Sequence, residues 1–228
     1  MRSLRPIEFK FIVSACLILT LAGAALINNF HAPPEEGPLT PPIDSPDEAG
    51  RYIQMASQNF FYHEYDEALE NYQHAIQILE ARGDFRRAAR LYESIGDVHK
   101  FFHDLQAAEE NYIFAIDYHA RIGDTIGAGK AMTHLAELEI EKGAPDNAEI
   151  WYVKAVDTVK TLEPSRAQAE VYERLGRYYW NAKRDADALP IIARARDIFA
   201  ALKHQAGYDH MAALIKAVKS RQRSQQPG

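Results

Sequence analysis

Small and apolar residues recur along this chain with a period of 40 residues. Ala68, Ala108, Ala148 and Ala188 form one column, and Ala75, Ala115, Ala155 and Ala195 a second. Between them stand Tyr72, Tyr112, Tyr152 and Ile192. Upstream come Ala56, Gly96, Ala136 and Gly176, preceded by Met55, Ile95, Leu135 and Leu175. Inside a copy the spacing is helical: Tyr112 lies four residues after Ala108, and Ala115 seven. Tyr92, Ile95 and Gly96 stand at i, i+3 and i+4, the offsets of one helix face. Polar, turn-prone stretches such as Lys142-Gly143-Ala144-Pro145-Asp146 part the two sets. The pattern predicts four units, each of two antiparallel helices joined by a tight turn, stacked into an all-α array.

Local signals punctuate the units. Gly83-Asp84 and Gly123-Asp124 read as a left-handed helix stop followed by an N-cap, and Pro164-Ser165 marks the third boundary. Pro145 suits the first turn of its helix. Pro190 fits a helix only if that helix starts late, with Asp187 as its cap. The small residues predict close crossings. A Gly or Ala at position 96 lets the second helix approach at Ala108, and the Tyr column then fills the gap between neighbouring pairs. A larger residue at either small column should overpack the crossing by roughly 1–3 kcal/mol.

These columns resemble the tetratricopeptide repeat, with its aromatic, Leu-Gly, Ala, aromatic and Ala positions. The fourth copy reads Tyr172, Leu175, Gly176, Tyr179, Ala188, Ile192, Ala195, and the second Tyr92, Ile95, Gly96, Ala108, Tyr112, Ala115. The usual unit is about 34 residues; this longer one resembles the extended variety found in scaffolds such as kinesin light chain. His99 and Glu139 stand where an aromatic is expected, which weakens those two units. The resemblance covers about residues 47 to 203 and implies a right-handed superhelix of four repeats: 48–83, 84–123, 124–163 and 164–203. A further helix over 204–221 carries Met211, Leu214, Ile215 and Val218 on one side and reads as a cap; residues 222–228 read as a tail. The basic cluster from Lys216 to Arg223 reads as a solvated helix end.

The first 47 residues differ in kind. Arg2, Arg5 and Lys10 precede an uncharged run from Phe11 to Ile27, the pattern of a membrane-targeting segment. Residues 11–29 are expected to stay as a single transmembrane signal anchor. The alternative is a cleaved signal peptide with Ala22-Gly23-Ala24 as its small-residue site, leaving a secreted or periplasmic protein. In both cases the array is exported. Residues 30–47 hold six of the 11 prolines and read as a semi-rigid linker. Cys16, inside the apolar run, is the one cysteine of the chain. The exported domain can therefore form no internal disulfide.

Charge and motifs exclude more than they assign. The net charge is −6 with both signs interspersed, which argues against nucleic acid as a partner. Gly123 to Lys130 resembles a phosphate-binding loop, but its first Gly is one residue early and Ala131 replaces the metal-holding Ser or Thr. The repeat places Gly127 to Lys130 at a helix start. His99 and His103 have metal-sharing spacing, yet a zinc site needs three or four ligands; His63 occupies the same repeat position as His103, so both mark helix ends. No cofactor, metal site or catalytic residue is expected, and the protein reads as non-enzymatic.

The resemblance implies that the first helices line a concave groove for a peptide or helix of another protein. Carried onto this sequence, its lining includes Phe60 and Phe61; Glu93, Asp97 and Phe101; Lys130 and Glu137; and Arg174, Arg177 and Trp180. The expected groove is aromatic at one end, acidic in the middle, and Arg with Trp at the other. Ile53, Ser57 and Asp97 stand where a chaperone-type carboxylate clamp needs cations and amides, so that mode is excluded; Lys130 alone fits it. Arg174 and Arg177 can also pair with Glu170 or Glu173 on their own helix. The expected function is a membrane-anchored scaffold for another cell-envelope protein. The alternative is a structural protein that self-associates into an oligomer through its open ends or convex face.

Overall fold

The computed structural model describes residues 47–225. The expected membrane segment at 11–29 and linker lie outside the described residues. Among the described residues no helix is long and apolar enough to cross a membrane.

Nine helices follow one another among these residues: α1 (Glu48–Phe61), α2 (Tyr65–Ala81), α3 (Phe85–Phe101), α4 (Leu105–Arg121), α5 (Thr125–Glu141), α6 (Pro145–Val159), α7 (Arg166–Asn181), α8 (Asp185–Ala201) and α9 (Gln205–Gln225). They pair as hairpins α1/α2, α3/α4, α5/α6 and α7/α8, and α9 packs on α8. No strand interrupts this order among the described residues.

Their ends explain the regularity. His63, Gly83, His103, Gly123, Gly143, Lys183 and Lys203 all have positive φ, between 54° and 77°. These positions lie on a 20-residue ladder, so the chain turns twice per period. At each, the N–H one residue further on donates back to a carbonyl five residues earlier, at 2.8–2.9 Å in all seven turns. This is the Schellman closure, which satisfies carbonyls left over at the helix end. The next residue then opens the following helix. Asp84, Asp104 and Asp124 each accept a bond from the backbone N–H three residues on. His63 and His103 thus are helix-ending residues, as their shared repeat position indicates.

One link departs. Between α6 and α7 residues 160–165 form a longer turn with no positive φ. The Ser165 hydroxyl accepts from the Gln168 N–H at 3.1 Å. The buried Gln168 amide donates to the carbonyls of Val159 (2.7 Å) and Leu162 (3.2 Å), so a side chain takes over the capping. Pro190 brings a correction. Helix α8 starts at Asp185, not after Asp187, so Pro190 lies inside its second turn. Asp187 pairs instead with Arg184. The proline ring is exposed and its fixed φ is compatible with the helix; the costs are one missing N–H donor and crowding of the ring against the carbonyl of Ala186.

Both Ala columns are fully buried, and Tyr72, Tyr112, Tyr152 and Ile192 between them are buried too. The close partner of Gly96 is the Tyr112 ring rather than Ala108: a Cβ at Gly96 would lie 2.6 Å from Cε1. At Gly176 a Cβ would lie 2.5 Å from Cγ1 of Ile192. The small column therefore makes room for the large one across the hairpin. The Tyr112 ring also meets His134 of the next hairpin, centroids 5.6 Å apart. Glu139 is not a weak position either. It is buried and accepts from Lys142 (2.6 Å) and Asn147 (3.0 Å), tying α5 to α6. Burial acts to raise its pKa, but those two bonds hold it below the ordinary carboxylate value.

Gly96→Ala is expected to destabilise the array by roughly 1–3 kcal/mol, because the Tyr112 ring has no free space to enter. The check is the urea midpoint of far-UV helicity. An unchanged midpoint would show that the α3/α4 crossing widens freely to accept a methyl group, as the column tolerates Ala56 and Ala136.

Candidate binding groove

The first helix of each hairpin faces the first helix of the next, and side chains join them in series. Phe60 of α1 lies edge-on to Phe101 of α3, centroids 6.4 Å apart. Asp97 of α3 faces His134 of α5 at 3.6 Å. Glu137 of α5 pairs with Arg174 of α7. Glu173 of α7 meets His210 of α9 at 3.2 Å and Arg177 of its own helix at 2.7 Å. Three successive steps thus join an acid to a base 37 residues further along the chain. The row is a ladder between repeats, set by the helical period acting on both sides of each contact.

The ladder changes how the expected groove residues are used. Asp97 also accepts the Tyr112 hydroxyl at 2.6 Å. Burial acts to raise its pKa, but His134 and Tyr112 together hold it down to about 2. Glu93 is turned inward, 3.3 Å from Nε2 of His119, a ring that is itself buried. Nδ1 of the same ring lies 3.2 Å from Asp124, which also binds Arg86. The acids expected in the middle of the groove are therefore all engaged. Among the described residues Lys130 has no ion pair, and neither does Arg90, its counterpart one copy earlier. Of the two predicted arginines, Arg177 pairs within its helix and Arg174 across to α5.

Trp180 lies apart from the other predicted residues. It packs beneath α9, where the Arg221 guanidinium sits 5.5 Å from its ring centroid. Arg221 also donates to the Trp180 carbonyl at 2.7 Å and pairs with Asp185. Phe60, Phe61 and Phe101 are exposed, at the turn end of the first two hairpins.

Sequence reasoning missed His119. A signal was present in the aligned copies, because His119 and Phe199 occupy the same repeat position and each faces a glycine, 127 or 207, that also recurs at one repeat position. A Cβ at Gly127 would lie 2.2 Å from His119 Nδ1, and one at Gly207 would lie 2.5 Å from the Phe199 ring. At Gly129 a Cβ would lie 2.7 Å from Cγ1 of Val159. Of the glycines that imitate a phosphate loop, Gly127 and Gly129 are packing glycines and Gly123 ends a helix.

Family and fold comparisons agree with this architecture. Residues 39–161 match the family model of the soluble NSF attachment protein, SNAP. The chain belongs to the SNAP family. Among solved structures it is similar to the apo form of RapI, with a TM-score of 0.62 and 16% identity over 78% of this chain and 65% of that one. It is also similar to the signal transduction ATPase with a tetratricopeptide repeat sensor, PH0952 from Pyrococcus horikoshii. There the TM-score is 0.59 and the identity 15%, over 75% of this chain and 26% of that one. At these identities the likeness is one of fold. The chain spans about two thirds of RapI and a quarter of the ATPase. No curated protein matches it in sequence. This SNAP-family member is a helical-repeat array of the tetratricopeptide type, an architecture suited to protein–protein contact.

Two outcomes test the site's construction. The folded-state pKa of Asp97 lies below its unfolded value. Its contribution to stability is therefore present above about pH 4 and disappears as pH falls toward 2. The gap in melting temperature between wild type and Asp97→Asn should accordingly close over that range; a constant gap would refute the assignment. In a Trp151→Phe background, Arg221→Ala should loosen α9 and raise acrylamide quenching of Trp180. Unaltered quenching would mean that α9 stays seated without this arginine.

Proposed function

We propose that this protein is a non-enzymatic, membrane-anchored scaffold. Its exported array would bind a peptide or helix of another cell-envelope protein through the row of first helices. The observation that carries the reading is the ion-pair ladder. Polar side chains along this face are fixed against one another between repeats, so little ordering remains to be done on binding. Within that fixed surface Arg90 and Lys130 form no ion pair among the described residues, at equivalent positions of adjacent hairpins. They suit a segment that carries an acidic residue opposite them. Membrane attachment rests on the sequence alone, through the basic residues and uncharged run before Ile27 and the proline-rich stretch behind it.

The test is cross-linking and recovery of the full-length protein from its own membrane. Lys130→Glu should lower recovery of the cross-linked partner about tenfold or more, the effect of one interface anchor, with helicity unchanged. Undiminished recovery would count against the groove. Release of the protein from the membrane by alkaline carbonate would count against the anchor.

A further inference from the structure

Among the described residues, several of the most exposed aromatic side chains form a cluster at the turn end of the first two hairpins. Phe61 is 74% exposed, Tyr62 67%, Phe101 57% and Phe102 49%. Tyr65 joins them: its ring centroid lies 4.5 Å from that of Phe102, 5.9 Å from Phe101 and 5.4 Å from Phe60. Phe61 and Tyr62 stack edge-on beside this group at 5.3 Å. The helices do not need these rings for closure. Their left-handed ends are made by His63 and His103 and by backbone bonds. With about 200 Å² to a ring, the exposed share amounts to roughly 500 Å², near the upper limit of what a monomer shows without a partner.

We propose that this cluster is the contact face of a two-fold dimer, occupied by a second copy of the chain. The area supports one such contact. Two patches facing each other remove roughly 1,000 Å² from water, the threshold for a specific interface and the size of a weak, concentration-dependent pair. The patch is also doubled internally. Phe61-Tyr62 and Phe101-Phe102 occupy the same repeat positions, so a two-fold axis between hairpins sets the first pair of one copy over the second pair of the other. That isologous match is what closed symmetry requires. The rim charges fit the same antiparallel placement. The first turn carries Glu64, Asp66 and Glu67 with His63, whereas the second carries Lys100 and Asp104 with His103. Crossing the copies sets the acidic rim over the near-neutral one that holds Lys100, twice, while a parallel placement would set acid on acid. The patch then stops: the same columns hold Glu141-Lys142 and Asn181-Ala182 in the third and fourth copies. The association therefore closes as a pair and does not run on into a filament. It shares Phe60 and Phe101 with the aromatic end of the groove row but not Lys130, and it does not depend on the groove having a ligand.

The full-length protein in mild detergent tests this by light scattering after size exclusion. Wild type should show twice the chain mass, and Phe61→Ser with Phe101→Ser the single mass at equal helicity, while Lys130→Glu should remain paired. In a Cys16→Ala background, mixed copies carrying Tyr62→Cys and Phe102→Cys should form a 62–102 disulfide in higher yield than 62–62. Three results would overturn the proposal. One is a monomeric wild type at tens of micromolar. Another is a double variant that keeps the doubled mass, which would place the association elsewhere. The third is a double variant that loses co-sedimentation with phosphatidylcholine–phosphatidylserine vesicles while its mass is unaltered, which would make lipid the occupant.

Discussion

Seven of the eight links between the described helices close on one residue with positive φ, and the array follows from that constraint. A left-handed residue lets the chain reverse in three residues while its N–H groups satisfy the carbonyls behind it. Because the links recur every 20 residues, the helices that lie between two of them, α2 to α5 and α8, are each 17 residues long, and neighbours run antiparallel. Residues at fixed distances from the turn must then meet across the hairpin. Gly96 meets Tyr112 and Gly176 meets Ile192 for this reason. The turn sets the register, and the columns of small and large side chains are complementary only in that register.

The same register produces the polar ladder. Asp97, Glu137 and Glu173 sit on successive first helices with a base one helix further on. Each pair joins neighbouring hairpins, where an array of repeats needs coupling: stability is the sum of units and of the interfaces between them. Several of these pairs are partly exposed, and each alone contributes little. Their effect is on shape, since they fix the angle between adjacent first helices and hold the surface between them in one arrangement.

Much of this was legible in the sequence, because it depends on one helix and its neighbour in the chain. The period, the Ala columns, the stops at Gly83 and Gly123 and the caps at Asp84 and Asp124 are all local. What escaped depends on contacts between repeats or on competition for a partner. Glu93 reads as a groove acid until a buried His119 stands behind it. Trp180 reads as an exposed anchor until α9 is folded over it. Gly96 is plainly a spacer, but whether it clears a path for Ala108 or for Tyr112 depends on the rotation of the second helix, which spacing alone leaves open. Pro190 misleads for another reason: the rule against proline inside helices is an average over cost, and an exposed second turn keeps that cost low.

The link between α6 and α7 is the one place where the backbone does not close the turn for itself. Three residues that would be helical elsewhere are given over to it, and the Gln168 side chain does the work of a left-handed residue. A backbone closure is indifferent to most substitutions; a closure made by one amide is not. The joint between the third and fourth hairpins is thus the most sequence-dependent in the array. Loss of the Gln168 amide would loosen the turn, while the apolar core that runs from Ala136 to Val218 would keep the third and fourth hairpins together.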